Sequence, residues 1–150
     1  MKNILVGIDG SQASMNALKY AVKMARTLRA NVLGINVIND MPYSEYYKDI
    51  SPKLKKEAED MLKRAVTSAF EEGVTIRAQV DYGDPDDVLA ERARTDPDVA
   101  MIVTAASRRS RIANLFIRSK AHALVDQVAA GLQCPLIVVP ERDENFLNRI

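Results

Sequence analysis

The residues best placed to do chemistry fall in two short stretches. Asp9-Gly10-Ser11 follows the apolar run Lys2–Ile8, and Thr104–Arg111 closes the apolar run Asp98–Ala105. A carboxylate at the end of a strand can accept hydrogen bonds from an amine or a hydroxyl of a bound molecule. The same three residues also suit a tight turn and a helix cap, where Asp9 and Ser11 bond only to backbone amides. The second stretch is crowded by Arg108, Arg109, Arg111, Arg118 and Lys120. A guanidinium grips a phosphate through two parallel N–H bonds, so Arg108, Arg109, Arg111 and Arg118 form a candidate anion patch. Positive charge near a helix N-terminus opposes the macrodipole by ~0.3–1 kcal/mol per charge. The patch therefore reads as an anion cradle, as a contact for an acidic protein partner, or as a solvated basic loop.

Several chemistries are excluded. One cysteine, Cys134, and one histidine, His122, cannot build a Cys/His zinc site, so no metal is expected. A single cysteine makes no internal disulfide and suits a reducing cytoplasm. Lys+Arg 21 against Asp+Glu 20 gives a net charge of +1, which argues against a dedicated nucleic-acid binder. The apolar runs fall short of the ~20 residues that span a bilayer, and Asp9 interrupts the only run near the start that resembles a leader. There is no nucleophile elbow, no Walker lysine loop and no dinucleotide glycine fingerprint, and no nucleophile–base pair stands out. No catalytic residue is expected. Tyr43, Tyr46 and Tyr47 either lid a crevice or pack on the body of the domain.

The elements that must position these residues alternate. Lys2–Ile8 reads as a strand. A helix capped by Ser11 follows, with Met15, Leu18, Ala21, Val22, Ala25 and Leu28 at helical spacing. Ala30–Ile38 is the second strand. Ser51-Pro52 reads as the N-cap and first position of a second helix, with Leu54, Ala58, Met61, Leu62, Ala65, Val66, Ala69 and Phe70 along its apolar stripe. Val74–Tyr82 alternates and suits a sheet edge. Gly83-Asp84-Pro85-Asp86 turns into a third helix that ends before Asp96-Pro97, and Asp98–Ala105 reads as a central strand. A fourth helix places Ile117, Ala121, Leu124, Val128 and Leu132 on one face. Cys134–Pro140 is the last strand. Its Leu136, Ile137, Val138 and Val139 form an apolar edge that must be covered. At 150 residues the chain suits one domain, and it buries roughly 70% of its extended surface. The expected architecture is an α/β three-layer sandwich. Its five-stranded parallel sheet has the order 3-2-1-4-5, with helices on both faces. Residues 1–140 form the domain and 141–150 a polar tail. The order reverses between strands one and four, which puts a crevice beside both chemistry-bearing stretches.

Five segments, taken in order, resemble the universal stress protein family: ILVGIDGSQASMNALKYAVKMA, VLGINVI, GDPDDVLAERA, DVAMIVTAA and CPLIVVP. The resemblance covers residues 2–140. It implies a five-stranded α/β domain, a cytoplasmic stress or regulatory role, and a homodimer through the last strand. It also implies an adenosine contact at Asp9 and an adenine contact at the backbone of Val37. ATP-binding members carry a glycine-rich phosphate loop, G-x2-G-x9-G-[ST], after strand four. Aligned from strand four, its glycine positions fall on Ala105, Arg108 and Arg118, with Ser119 at the hydroxyl position. Aligned back from Cys134, they fall on Arg109, Ile112 and His122, with Ala123 at the hydroxyl position. Neither register holds a glycine, and after Gly83 the chain has only Gly131. The sequence therefore reads as a non-catalytic stress-response domain with a degenerate nucleotide site, acting as a homodimer and through a regulatory protein partner. The alternative is an ATP- or AMP-binding protein that uses Asp9 and an arginine phosphate cradle, with slow hydrolysis. ATP is not the favoured ligand.

Overall fold

A computed structural model describes residues 1–38, 47–105 and 134–140, with residues 47–51 as backbone only. The β-branched and leucine-rich run after Lys2 forms strand β1 (Asn3–Gly7), and Ile4, Leu5 and Val6 are buried completely. Such burial on both faces belongs to the middle of a covered parallel sheet. Strands β2 (Asn31–Ile38), β3 (Ile76–Tyr82), β4 (Val99–Ala105) and β5 (Leu136–Val139) complete it in the order β3-β2-β1-β4-β5, with all neighbours parallel. This is the order expected from the sequence. β3 and β5 lie at the two edges, and β4 lies inside.

The period of two along the strands divides the core. Ile4, Val6, Val32 and Val103 point to one face and pack with helices α1 (Gln12–Leu28) and α2 (Tyr47–Ala69). Leu5, Ile35 and Ile102 point to the other face, beneath Leu89 and Ala93 of helix α3 (Pro85–Thr95). Helices thus cover both faces, and continuous apolar strands such as Ile4–Val6 supply both faces of the sheet with core residues.

The helix ends explain themselves. Ser11 caps α1, its hydroxyl accepting from the Ser14 amide at 3.1 Å. Asp84 caps α3 and accepts from the amides of Asp86 and Asp87, at 3.0 and 3.3 Å. Pro85 opens that helix. Asp86 and Asp87 complement its N-terminal dipole, as Arg92 and Arg94 complement the other end. Capping therefore accounts for the acidic turn.

Some boundaries move, and Phe70, expected on the apolar stripe of the second helix, falls just past the end of α2 at Ala69 and is 72% exposed. α2 begins at Tyr47, four residues before the expected Ser51 cap, and Pro52 lies inside it. Proline there removes a hydrogen bond near the helix start rather than in its middle, and the long apolar stripe beyond it holds the helix on the sheet. β3 starts at Ile76 rather than Val74, because the Val74 amide bonds back to the Glu71 carbonyl at 3.2 Å. β4 starts at Val99, because the Asp98 amide is taken by the Asp96 carboxylate at 2.9 Å. The fourth helix, the tyrosine connection at 43 and 46 and the tail 141–150 lie outside the described residues.

Candidate functional site

The C-terminal ends of β2, β1 and β4 meet where the strand order reverses, the place where open α/β sheets bind ligands. The β1–β2 register runs from Asn3↔Asn31 to Gly7↔Ile35 and stops there, while β2 goes on pairing with β3 as far as Ile38↔Tyr82. Continuing the first register sets Asp9 level with Val37. The β1–β4 register, Val6↔Val103, sets Ile8 level with Ala105 in the same way. Asp9, Val37 and Ala105, three residues singled out in the sequence, therefore lie at the C-terminal edge of the sheet, with Ala105 one rung behind the other two. Ala105 is buried, beside Thr104.

Asp9 is held by the first turn of α1. One carboxylate oxygen accepts from the Ser11 amide at 2.9 Å, and the Asp9 amide donates to the Ser14 hydroxyl at 3.3 Å. That hydroxyl in turn donates to the Ser11 carbonyl at 3.0 Å. Desolvation alone would raise the Asp9 pKa. The hydrogen bonds from Ser11 and Ser14 outweigh it and hold the carboxyl below its ordinary value. Asp9 is thus a fixed carboxylate at neutral pH. It reaches solvent, and an ionised carboxylate has about four acceptor positions, so the turn does not exhaust it. The turn and the binding role are compatible.

Gly10 has a φ of +83°, a conformation side chains rarely adopt. A Cβ there would stand 3.5 Å from Cγ of Met61. Met61 of α2 therefore lies over the Asp9–Ser11 turn as well as against the core.

Val37 presents backbone rather than side chain. The Ile8 amide donates to the Ile35 carbonyl at 2.8 Å, which shows that Ile35 directs its polar backbone groups toward β1. Groups two residues apart on a strand face the same way, so the N–H and C=O of Val37 also face β1. They do so beyond the point where the ladder has stopped. Asn36, between them, donates its side-chain amide to the Ile8 carbonyl at 2.7 Å.

Asn36, Ser14 and the contact of Met61 with Gly10 do not stand out in the sequence. Asn36 carried a signal: it is a polar residue in VLGINVI, on the face opposite the buried Ile35. Arg108, Arg109, Arg111, Arg118 and Ser119 lie outside the described residues, as do Ile112, His122 and Ala123. Cys134 packs against the second core cluster, and burial raises its thiol pKa. Leu136, Ile137 and Val138 of the edge strand are half-buried, and Val139 is buried. Among the described residues no group of His, Cys, Asp and Glu could hold a metal ion, and no helix is long and apolar enough to cross a membrane.

Comparison with known proteins returns one architecture. A model of the universal stress protein family matches residues 1–140. A universal stress protein of Methanocaldococcus jannaschii is 28% identical over 146 residues, covering 92% of this chain and 81% of that protein. Among solved structures, a universal stress protein from Lactobacillus plantarum superposes with a TM-score of 0.67 at 23% identity, covering 92% of this chain and 97% of that one. A family member from Arabidopsis thaliana, solved with AMP bound, gives a TM-score of 0.60 at 18% identity, covering 97% of this chain and 95% of that one.

Proposed function

The chain belongs to the universal stress protein family, and from that premise we propose that it is a non-catalytic, cytoplasmic stress-response domain. Its crevice keeps the nucleoside half of an adenine-nucleotide site and lacks the phosphate half. The observation that carries this is that the β1–β2 register ends at Gly7↔Ile35 and, continued, sets Asp9 level with Val37 at the C-terminal edge of the sheet. A fixed carboxylate suits ribose hydroxyls, and an outward N–H and C=O suit the edge of a purine. The AMP held by the Arabidopsis thaliana structure supports the choice of ligand class. The phosphate half is a different matter. A glycine-rich loop lets backbone amides wrap closely around phosphate oxygens because Cβ atoms are absent. The stretch from Ala105 to Ala130 contains no glycine.

The proposal includes assembly. β5 is an edge strand of apolar residues, and an isologous contact between two copies would cover it. Regulation would then act through the dimer surface and a protein partner. The experiment is chemical. Purified protein, freed of nucleic acid, is denatured and its small molecules are chromatographed. The expected result is no ATP. Near-stoichiometric ATP would instead establish the nucleotide-binding alternative, with the arginines as cradle.

A further inference from the structure

We infer that Asn36 is a positioning residue that stops the β1–β2 ladder one rung short and so keeps the Val37 backbone turned into the crevice. In a regular parallel ladder the Ile8 amide donates to Ile35, as it does here, and the Ile8 carbonyl then accepts from the Val37 amide. That second bond would extend the register to Ile8↔Asn36, yet the register ends at Gly7↔Ile35. The Ile8 carbonyl accepts from the Asn36 side chain instead, at 2.7 Å. A buried carbonyl needs a donor, and a side chain that supplies it releases the backbone donor for another use.

Gly34 supports the arrangement. It lies two residues before Asn36 and on the same face of β2. A Cβ at Gly34 would come within 2.6 Å of Cδ1 of Ile8. The bare glycine lets the Ile8 side chain lie across β2. Three residues thus make a joint at the end of β1, and Asp9 follows it directly. The role of the freed Val37 groups in binding rests on the nucleoside reading above. The joint itself does not.

The test uses the full chain, labelled with nitrogen-15, and follows hydrogen exchange of the Val37 amide. In Asn36→Val the side-chain donor is gone, so the Ile8 carbonyl takes the Val37 amide and the ladder closes. The Val37 amide should then exchange at least about tenfold more slowly than in wild type. AMP should bind about tenfold more weakly or worse. Where Asn36→Val does not fold, Asn36→Ala reads the same amide. A merely structural asparagine would lower the melting temperature and leave Val37 exchange unchanged or faster, and that result overturns the inference. If AMP fails to bind wild type, the nucleoside reading fails, while the exchange rate of Val37 still decides the role of Asn36.

Discussion

Replacing Asp9 separates the two duties of its carboxylate. In the fold it accepts one amide hydrogen bond, from Ser11 at 2.9 Å, at the mouth of α1. A hydrogen bond to an ionised group contributes ~1.5–3 kcal/mol when sheltered from water. Asp9 is exposed, so water competes, and about 1 kcal/mol remains. Asp9→Ala should therefore lower the melting temperature at pH 7 by about 2–4 °C for a chain of this length. Asp9→Asn keeps an acceptor and should lose about half as much. The pH dependence has a definite sign. The folded-state pKa lies below the ordinary value of 3.8, so the carboxylate stabilises the fold above that value. The contribution disappears as the pH falls through the depressed folded value. Melting curves of wild type and Asp9→Ala should thus differ most at neutral pH and converge in acid. A gap that stays constant from pH 7 to pH 3, or widens in acid, would refute the assignment of a stabilising ionised Asp9. In AMP titrations both variants should bind about tenfold more weakly, a loss of ~1.4 kcal/mol and more than the fold itself loses.

Other substitutions address the scaffold. Ser11→Ala removes the cap on the Ser14 amide and should cost about 1 kcal/mol in chemical denaturation, with an unchanged denaturant slope. Leu89→Ala empties a site that is 3% exposed beneath α3, and should cost ~2–5 kcal/mol by the same assay. Val138→Pro deletes a backbone donor of the edge strand. Sedimentation should show a dimer for wild type and a monomer for this variant, whereas a monomeric wild type at micromolar concentration would refute the proposed assembly.

The architecture was legible because short apolar runs alternate along the chain with segments of helical spacing. The continuous apolar run through Ile4, Leu5 and Val6 suits a strand buried on both faces, and helices on both faces were implied by the βα order of the elements. The strand order 3-2-1-4-5 fitted the βα repeat and its right-handed crossovers. Boundaries were harder, for local reasons. Ser51-Pro52 imitates a helix start, yet α2 begins at Tyr47, since packing along a long stripe outweighs one lost hydrogen bond. Val74 reads as strand by composition, but its amide is captured by a turn. In the site, Asp9 was legible as a carboxylate at a strand end. The Ser14 hydroxyl that fixes its backbone was not, because a serine within the first turn of a helix does not show in sequence whether its hydroxyl turns back to the preceding loop. Asn36 was hidden for a related reason. Its role depends on where the ladder stops, and register is a property of two strands read together.

The central claim is that the crevice recognises a nucleoside and gains little from phosphates beyond the first. Calorimetric titration of the same preparation with adenosine, AMP and ATP with magnesium tests it directly. The account predicts measurable binding of adenosine and AMP, with ATP improving on AMP by less than about tenfold, or ~1.4 kcal/mol. ATP binding more than about a hundredfold tighter than AMP would contradict it, since that gain requires a phosphate cradle.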